Sequence, residues 1–199
     1  MYPLIETIKC DNGIFFNKEF HQLRFEKAQT EYFRIQPEIN LFECIEIPEF
    51  AKTGLFRCRV TYTNKIENIE FFPHQYREIR RLKLVEDNFI DYGFKFANRE
   101  NLSVLFEKKG TCDDILIVKN GFITDSFTAN PVFFDGQKWW TPDTPLLPGT
   151  MRARLLNEKR IFECRITPED LRKYEKAGLI NAMQDMENMP VIPSQNISF

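Results

Sequence analysis

Alternation of apolar and polar residues predicts several strands in this 199-residue chain. The clearest case is the stretch LFRCRVTY, residues 55–62, where side chains repeat every two positions and place Arg57 and Arg59 on one face. Residues 66–72 follow as its return strand, and residues 79–85 form a further strand. The pattern therefore predicts sheets with long antiparallel stretches.

Turns and helices are predicted between these strands. Asn and Gly tolerate positive φ, so their pairs favour tight hairpins. Hairpin turns are predicted at Asn12-Gly13, Asn120-Gly121 and Asp135-Gly136. Helical patterns are predicted for residues 17–32, 99–108 and 150–157. In the first helix Asn17 is the predicted cap, and His21 and Arg24 are surface neighbours three positions apart.

This mixture predicts an α+β fold in two lobes. Residues 1–86 are expected to form a small N-terminal lobe, and residues 87–199 a larger C-terminal lobe. The stretch from Glu86 to Tyr92 is the predicted link. A chain of this length buries enough surface to need neither a disulfide nor a metal for stability.

Composition and charge exclude several classes of protein. The net charge of −2 gives no nucleic-acid footprint, and no apolar run is long enough to span a membrane. Five scattered cysteines without a CxxC pair, and the absence of an export signal, predict reduced thiols in a cytoplasmic protein. Two histidines are poor material for a metal site, so none is expected.

One lysine stands in unusually apolar surroundings. Lys95 lies between Phe94 and Phe96 in the segment KFANR. Burial lowers the pKa of a lysine and makes its amine a usable nucleophile and base. The plainer alternative is a lysine whose stem lies on aromatic rings while its ammonium group reaches water.

An acid and a small-residue turn follow this lysine along the chain. Asp125 ends a predicted strand in GFITDSFTAN, and Asn130 closes that segment. Gly149-Thr150 then precedes a basic helix, whose N-terminus favours anions. The plainer alternative for Asp125 is an aspartate that caps a turn through its side chain.

Taken in this order, these segments resemble the pyridoxal-phosphate enzymes of aminotransferase class IV. The resemblance runs from LIET near the N-terminus to MPVI near the C-terminus. It implies a two-lobed fold, with a small N-terminal α/β lobe and a larger C-terminal pseudo-barrel lobe that carries the cofactor lysine. It also implies a homodimer that acts on a small-molecule amino substrate.

The resemblance assigns a role to each motif. Lys95 would hold pyridoxal phosphate as a Schiff base, Asp125 would pair with its ring nitrogen, and Arg24 in HQLRF would grip its phosphate. The family usually has Glu at the Asp125 position. The cofactor-binding residues implied in this way are Arg24, Lys95, Asp125, Asn130, Gly149, Thr150, Asn181 and Ala182. Asn181-Ala182 in LINAM can equally be a turn near the end of a strand.

Residues after the lysine point towards one branch of the family. Asn98 and Arg99 fill positions that resemble the class IV lyases, whereas Glu100 stands where branched-chain transaminases usually carry Tyr. The leading expectation is an aminodeoxychorismate lyase-like enzyme, which eliminates pyruvate to give 4-aminobenzoate. The alternatives are an amino-acid aminotransferase of branched-chain or D-amino-acid type and a degenerate member without turnover.

Four arginines could receive a substrate carboxylate: Arg57, Arg59, Arg152 and Arg154. Arg59 is the first choice, because its strand precedes the junction between the predicted lobes. Each of the four could instead belong to a solvated strand or helix face.

Overall fold

The computed structural model describes residues 1–198, which divide into two compact units. The first unit comprises Met1–Tyr76 and Phe94–Asn98. The second comprises Arg77–Gly93 and the chain from Arg99 onward. Among the described residues, no helix is both long and apolar enough to cross a membrane.

This division differs from the expected boundary at residue 86, and it moves the lysine segment out of the C-terminal lobe. The cause is backbone pairing with the start of the chain. Ile5 N donates to Lys95 O at 2.8 Å, and Ala97 N donates to Pro3 O at 2.9 Å. Lys95 therefore belongs to the first unit.

A four-stranded antiparallel sheet forms the centre of the first unit, in the order β2-β1-β3-β4. The strands are β1 (Leu4–Asp11), β2 (Ile14–Phe15), β3 (Leu55–Tyr62) and β4 (Ile66–Pro73). Asn12 and Gly13 both have positive φ, 49° and 76°, as the predicted hairpin requires.

One face of this sheet is covered by the helix α1 (Lys18–Ala28), which continues as a π-helical turn over Gln29–Phe33. Phe25 of α1 packs edge-on against Tyr62 of β3, with ring centroids 4.7 Å apart. The helix starts where predicted, but Asn17 has left-handed backbone (φ 53°) and makes no side-chain cap bond.

Two mixed sheets form the second unit. One has the order β13-β5-β6-β7, and the other has the order β10-β9-β8-β11-β12. The first contains β5 (Leu82–Glu86), β6 (Asp114–Lys119), β7 (Phe122–Ser126) and β13 (Ile197–Ser198). The second contains β8 (Asn130–Phe134), β9 (Trp139–Pro142), β10 (Phe162–Cys164), β11 (Lys176–Ile180) and β12 (Val191–Pro193). The helices are α2 (Glu100–Glu107) and α3 (Thr150–Asn157).

The α+β class is confirmed, and so is the position of the strand β3 and of the helix α3. Parallel pairs, such as β5 with β6, occur beside the expected antiparallel ones. The core of the second unit is formed mainly by aliphatic side chains from both sheets, including Leu82, Leu116 and Leu179.

Candidate active site

A buried carboxylate on β1 lies at the centre of a group of polar side chains in the first unit. Glu6 is wholly buried, and its Oε2 lies 2.5 Å from Nδ1 of His21. Arg24 donates from Nε to Oε1 at 2.8 Å and from Nη2 to Oε2 at 2.6 Å. The pairing of Arg24 with Glu6 is therefore bidentate, a geometry that fixes both the position and the plane of a guanidinium group.

The charge state of this group follows from its partners. Burial alone would raise the pKa of Glu6, but Arg24 and His21 lower it to about 2. Burial lowers the pKa of His21 against the opposing effect of Glu6, which favours the neutral imidazole at neutral pH. An ionised carboxylate can only accept hydrogen bonds, so Nδ1 of His21 carries the proton that faces Glu6.

Lys95 lies within electrostatic range of His21. Its positive charge, like that of Arg24, adds to the effect of burial in lowering the pKa of His21. Phe94 and Phe96 hold the segment in place, because their rings contact the ring of Tyr32 at centroid distances of 5.1 and 5.6 Å. We call Glu6, His21, Arg24 and Lys95 the first-unit cluster.

Arg59 lies on the other face of the same sheet. Glu6 pairs with Val60 and Thr7 pairs with Arg59, so Glu6 and Arg59 point to opposite faces of the sheet. Nε of Arg59 is buried and has no hydrogen-bond partner. The structure therefore does not bring Arg59 to the first-unit cluster, and its role in binding substrate stays a prediction.

The other three candidate arginines have internal partners. Arg57 stacks on the ring of Phe72 at 5.2 Å from its centroid. In α3, Arg152 donates to Pro142 O at 2.8 Å and to Glu163 at 2.5 Å. Arg154 pairs with Glu158 one turn further along.

In the second unit, Asp125 is the centre of a second group of contacts. It lies in β7 with 7% of its surface exposed and accepts hydrogen bonds from Asn130 Nδ2, at 2.6 Å, and from the backbone N–H of Leu146 and Leu147. Burial raises its pKa to about 7, although these donors and the charge of Arg152 oppose the rise. A carboxylate has about four lone-pair sites, so three donors leave room for one more.

Asn130 links this acid to the turn before α3. Its Nδ2 also donates to Leu147 O at 3.0 Å, and its Oδ1 accepts from Gly149 N at 3.1 Å. Both donors of the amide are thus used within the protein. We call Asp125, Asn130, Leu146, Leu147 and Gly149 the second-unit network, in which Asn130 positions its neighbours.

Gly149 has to be a glycine for this network to form. A Cβ at this position would lie 2.2 Å from Oδ1 of Asn130. The next residue, Thr150, is buried and begins α3. The N-terminal end of a helix carries a partial positive charge that favours anions such as phosphate. The network therefore ties this end of α3 to Asp125.

Asn181 and Ala182 lie in a tight turn after β11. Asn181 N donates to Gln184 O at 3.0 Å, and Asn181 Oδ1 accepts from Met183 N at 2.9 Å. The turn alternative considered from the sequence describes this geometry, and a cofactor contact here remains a prediction.

Sequence reasoning missed Glu6, and it treated His21 only as a neighbour of Arg24. A signal was present. Leu4, Glu6 and Ile8 occupy successive inward positions of β1, and all three are wholly buried. A carboxylate among apolar inward residues requires cationic or hydrogen-bonding partners.

The residues present suit pyridoxal phosphate. In the first unit a lysine amine and an arginine both act electrostatically on His21. The second unit holds a buried acid whose raised pKa is typical of a carboxylate without a full counter-charge. The second unit also holds a helix N-terminus where a side chain at Gly149 would not fit. In the described part of the chain, no group of His, Cys, Asp and Glu could hold a metal ion.

Comparison with known proteins finds relatives over nearly the whole chain. The family model described as "Amino-transferase class IV" matches residues 3–191. An uncharacterized protein of Haemophilus influenzae is 39% identical over 188 residues, which are 94% of this chain and 100% of that protein.

Solved structures with the same fold include two that are informative here. A protein from Haemophilus somnus 129pt, whose assignment as a 4-amino-4-deoxychorismate lyase is itself a proposal, is 38% identical with a TM-score of 0.87, covering 94% of this chain and 98% of that one. A hypothetical aminotransferase from Mycobacterium tuberculosis in its PLP-bound form has 14% identity and a TM-score of 0.77, covering 96% and 80%. The second likeness concerns the fold alone. From the family match and the Haemophilus relatives, the chain belongs to the aminotransferase class IV family.

Proposed function

We propose that this chain is a pyridoxal-phosphate-dependent lyase that acts on aminodeoxychorismate, releasing pyruvate and leaving 4-aminobenzoate. Class IV enzymes depend on pyridoxal phosphate. The observation that supports the finer assignment is the 38% identity, over nearly the full length of both chains, with the Haemophilus somnus protein that bears this name. A cytoplasmic homodimer is part of the proposal.

Lys95 supplies the amine in this proposal. When bound, pyridoxal phosphate supplies an electron sink for the substrate carbon next to the amino group. The amine of Lys95 would hold the cofactor, and the same amine, when free, would take up and return the proton of that carbon. The backbone pairing of Lys95 with Ile5 holds the segment that carries this amine.

Asp125 holds a proton at the ring nitrogen of the cofactor. A buried carboxylate whose pKa is raised to about 7 is costly in the absence of a cation, and a protonated ring nitrogen supplies one. The three donors of the second-unit network fix the direction of the carboxylate. Aspartate is one methylene shorter than the usual glutamate, so its carboxylate extends less far from β7.

Arg24 and the N-terminal end of α3 are the proposed phosphate contacts. Arg24 contributes a guanidinium group whose plane is set by Glu6. Gly149-Thr150 contributes the positive end of a helix dipole.

A product assay tests this function. The purified protein, loaded with pyridoxal phosphate, is incubated with aminodeoxychorismate and, separately, with amino acids plus a 2-oxo acid acceptor. We expect 4-aminobenzoate and pyruvate in equal amounts from the first mixture. Amino transfer without pyruvate release would instead assign a transaminase, and cofactor binding without any turnover would assign a degenerate member.

A further inference from the structure

Glu6 occupies a position that the fold does not require to be charged. It lies between Leu4 and Ile8 on the inward face of β1, and all three side chains are wholly buried. An apolar residue would continue this pattern without the cost of removing a carboxylate from water. Replacing buried ion pairs by apolar residues is often neutral or stabilising, so stability alone does not account for Glu6.

The contacts of Glu6 are directed at one guanidinium group. Both carboxylate oxygens accept from Arg24, and Oε2 also lies 2.5 Å from Nδ1 of His21. His21 and Arg24 are one turn apart on α1, whereas Glu6 comes from the sheet. The carboxylate therefore fixes the helix side chain against the strand, with 16% of the Arg24 side chain still exposed.

We propose that Glu6, supported by His21, is a positioning residue that orients the guanidinium group of Arg24 for the phosphate of the cofactor. This inference rests on the proposed function, because it takes the phosphate contact of Arg24 from there. Two effects of Glu6 compete. Its negative charge repels a phosphate, whereas its bidentate grip removes the rotational freedom of Arg24 before binding. We infer that the second effect is larger.

A substitution that removes the charge of Glu6 separates these effects, because they change the affinity for pyridoxal phosphate in opposite directions. Glu6→Gln removes the repulsion but breaks the bidentate pairing, because the amide nitrogen faces a donor. If positioning dominates, affinity for pyridoxal phosphate falls about tenfold, the scale of one hydrogen bond to a charged group. If charge dominates, affinity stays the same or rises. Glu6→Asp keeps the charge and retracts the carboxylate, and affinity should again fall.

The experiment titrates purified variants with pyridoxal phosphate and with pyridoxal, which lacks the phosphate, and follows the cofactor absorbance. If Glu6 positions Arg24 for the phosphate, its variants lose affinity for pyridoxal phosphate but not for pyridoxal. A Glu6 that only stabilises the fold would not give this difference. Glu78→Gln is the matched control, because Glu78 pairs with Arg80 at the exposed surface. In an Arg24→Ala background, which itself should bind pyridoxal phosphate about ten- to a hundredfold more weakly, Glu6→Gln should have no further effect.

Each other outcome has a defined meaning. Wild-type protein that does not bind pyridoxal phosphate refutes the proposed function itself. Wild-type binding that is unaffected by Arg24→Ala leaves the cofactor in place but overturns the inference. The inference is also overturned if both Glu6 variants bind as tightly as wild type, if they lose affinity for both ligands equally, or if neither of them folds.

Discussion

At the scale of single residues, two buried acids, Glu6 and Asp125, make more contacts with the candidate site residues than the sequence indicates. Asp125 was predicted from the resemblance. The structure adds that burial raises its pKa, and that three donors, which oppose this rise, hold the carboxylate in place. Glu6 was not predicted, because a strand pattern alone does not say which polar residue faces inward until the register is known. The resemblance suggests Arg24 as a phosphate ligand, which stays a prediction, whereas its bidentate pairing with Glu6 could not be predicted from the sequence.

The pKa of Asp125 predicts a pH-dependent stability. Its folded-state pKa is about 7 and its ordinary value is 3.8, so between these values the folded protein binds a proton that the unfolded chain releases. This group therefore lowers the free energy of unfolding as pH rises through that window, by up to roughly 4 kcal/mol at about 1.4 kcal/mol per pKa unit.

Urea unfolding of cofactor-free protein between pH 4 and pH 8 measures this effect. The free energy of unfolding of wild type minus that of Asp125→Asn should fall steadily up to about pH 7 and then stay constant. Glu6 and His21 titrate in the same way in both proteins, so their contributions cancel in the difference between the two free energies of unfolding. Parallel curves across the whole range would mean that Asp125 has an ordinary pKa.

Asp125→Asn should also abolish turnover while leaving the fold intact. A neutral amide cannot hold a proton at a ring nitrogen nearly as well as a carboxylate does. The measurement is the rate of product formation at saturating cofactor, with circular dichroism as the check on folding. A variant that turns over as fast as wild type would remove Asp125 from the mechanism.

At the scale of elements, the turn before α3 depends on a glycine with an ordinary backbone conformation. Gly149 has φ −72°, so the requirement comes from close packing against Asn130 and not from a left-handed conformation. A sequence pattern predicts the helix start but cannot show that the preceding glycine touches a residue nineteen positions earlier.

Gly149→Ala should therefore destabilise the protein and weaken cofactor binding. The new methyl group displaces the Asn130 amide and disturbs Asp125, at a cost of about 1–3 kcal/mol. Gly93→Ala is the control, because a Cβ there meets only Asp91 at an ordinary 3.9 Å. Denaturant unfolding and cofactor titration check both variants. Equal behaviour of the two alanine variants would show that the turn can relax.

Other elements were predictable for local reasons. The Asn12-Gly13 and Asn120-Gly121 pairs form the expected turns, since all four residues have positive φ. The end of β11 at Ile180 was left open by the sequence, because Asn181-Ala182 could either continue the strand or form a turn. The structure has a turn, closed by the backbone and the side chain of Asn181.

At the scale of the whole molecule, the sequence predicted the family but not the course of the chain between units. The segment Phe94–Asn98 belongs to the first unit through backbone hydrogen bonds to Pro3 and Ile5, which leave no trace in local patterns. The homodimer expected from the resemblance is a prediction at this scale. Light scattering after gel filtration should give about twice 23.7 kDa, and a mass of one chain at all concentrations would contradict it.

The central claim is that Lys95 carries the cofactor of a pyridoxal-phosphate enzyme. Borohydride reduction of the loaded protein, followed by proteolysis and mass spectrometry, tests it most directly, because reduction makes the lysine–cofactor bond permanent. We predict a single modified peptide that contains Lys95, and its loss in Lys95→Ala. Modification of another lysine, or of none in a protein saturated with pyridoxal phosphate, would contradict the account.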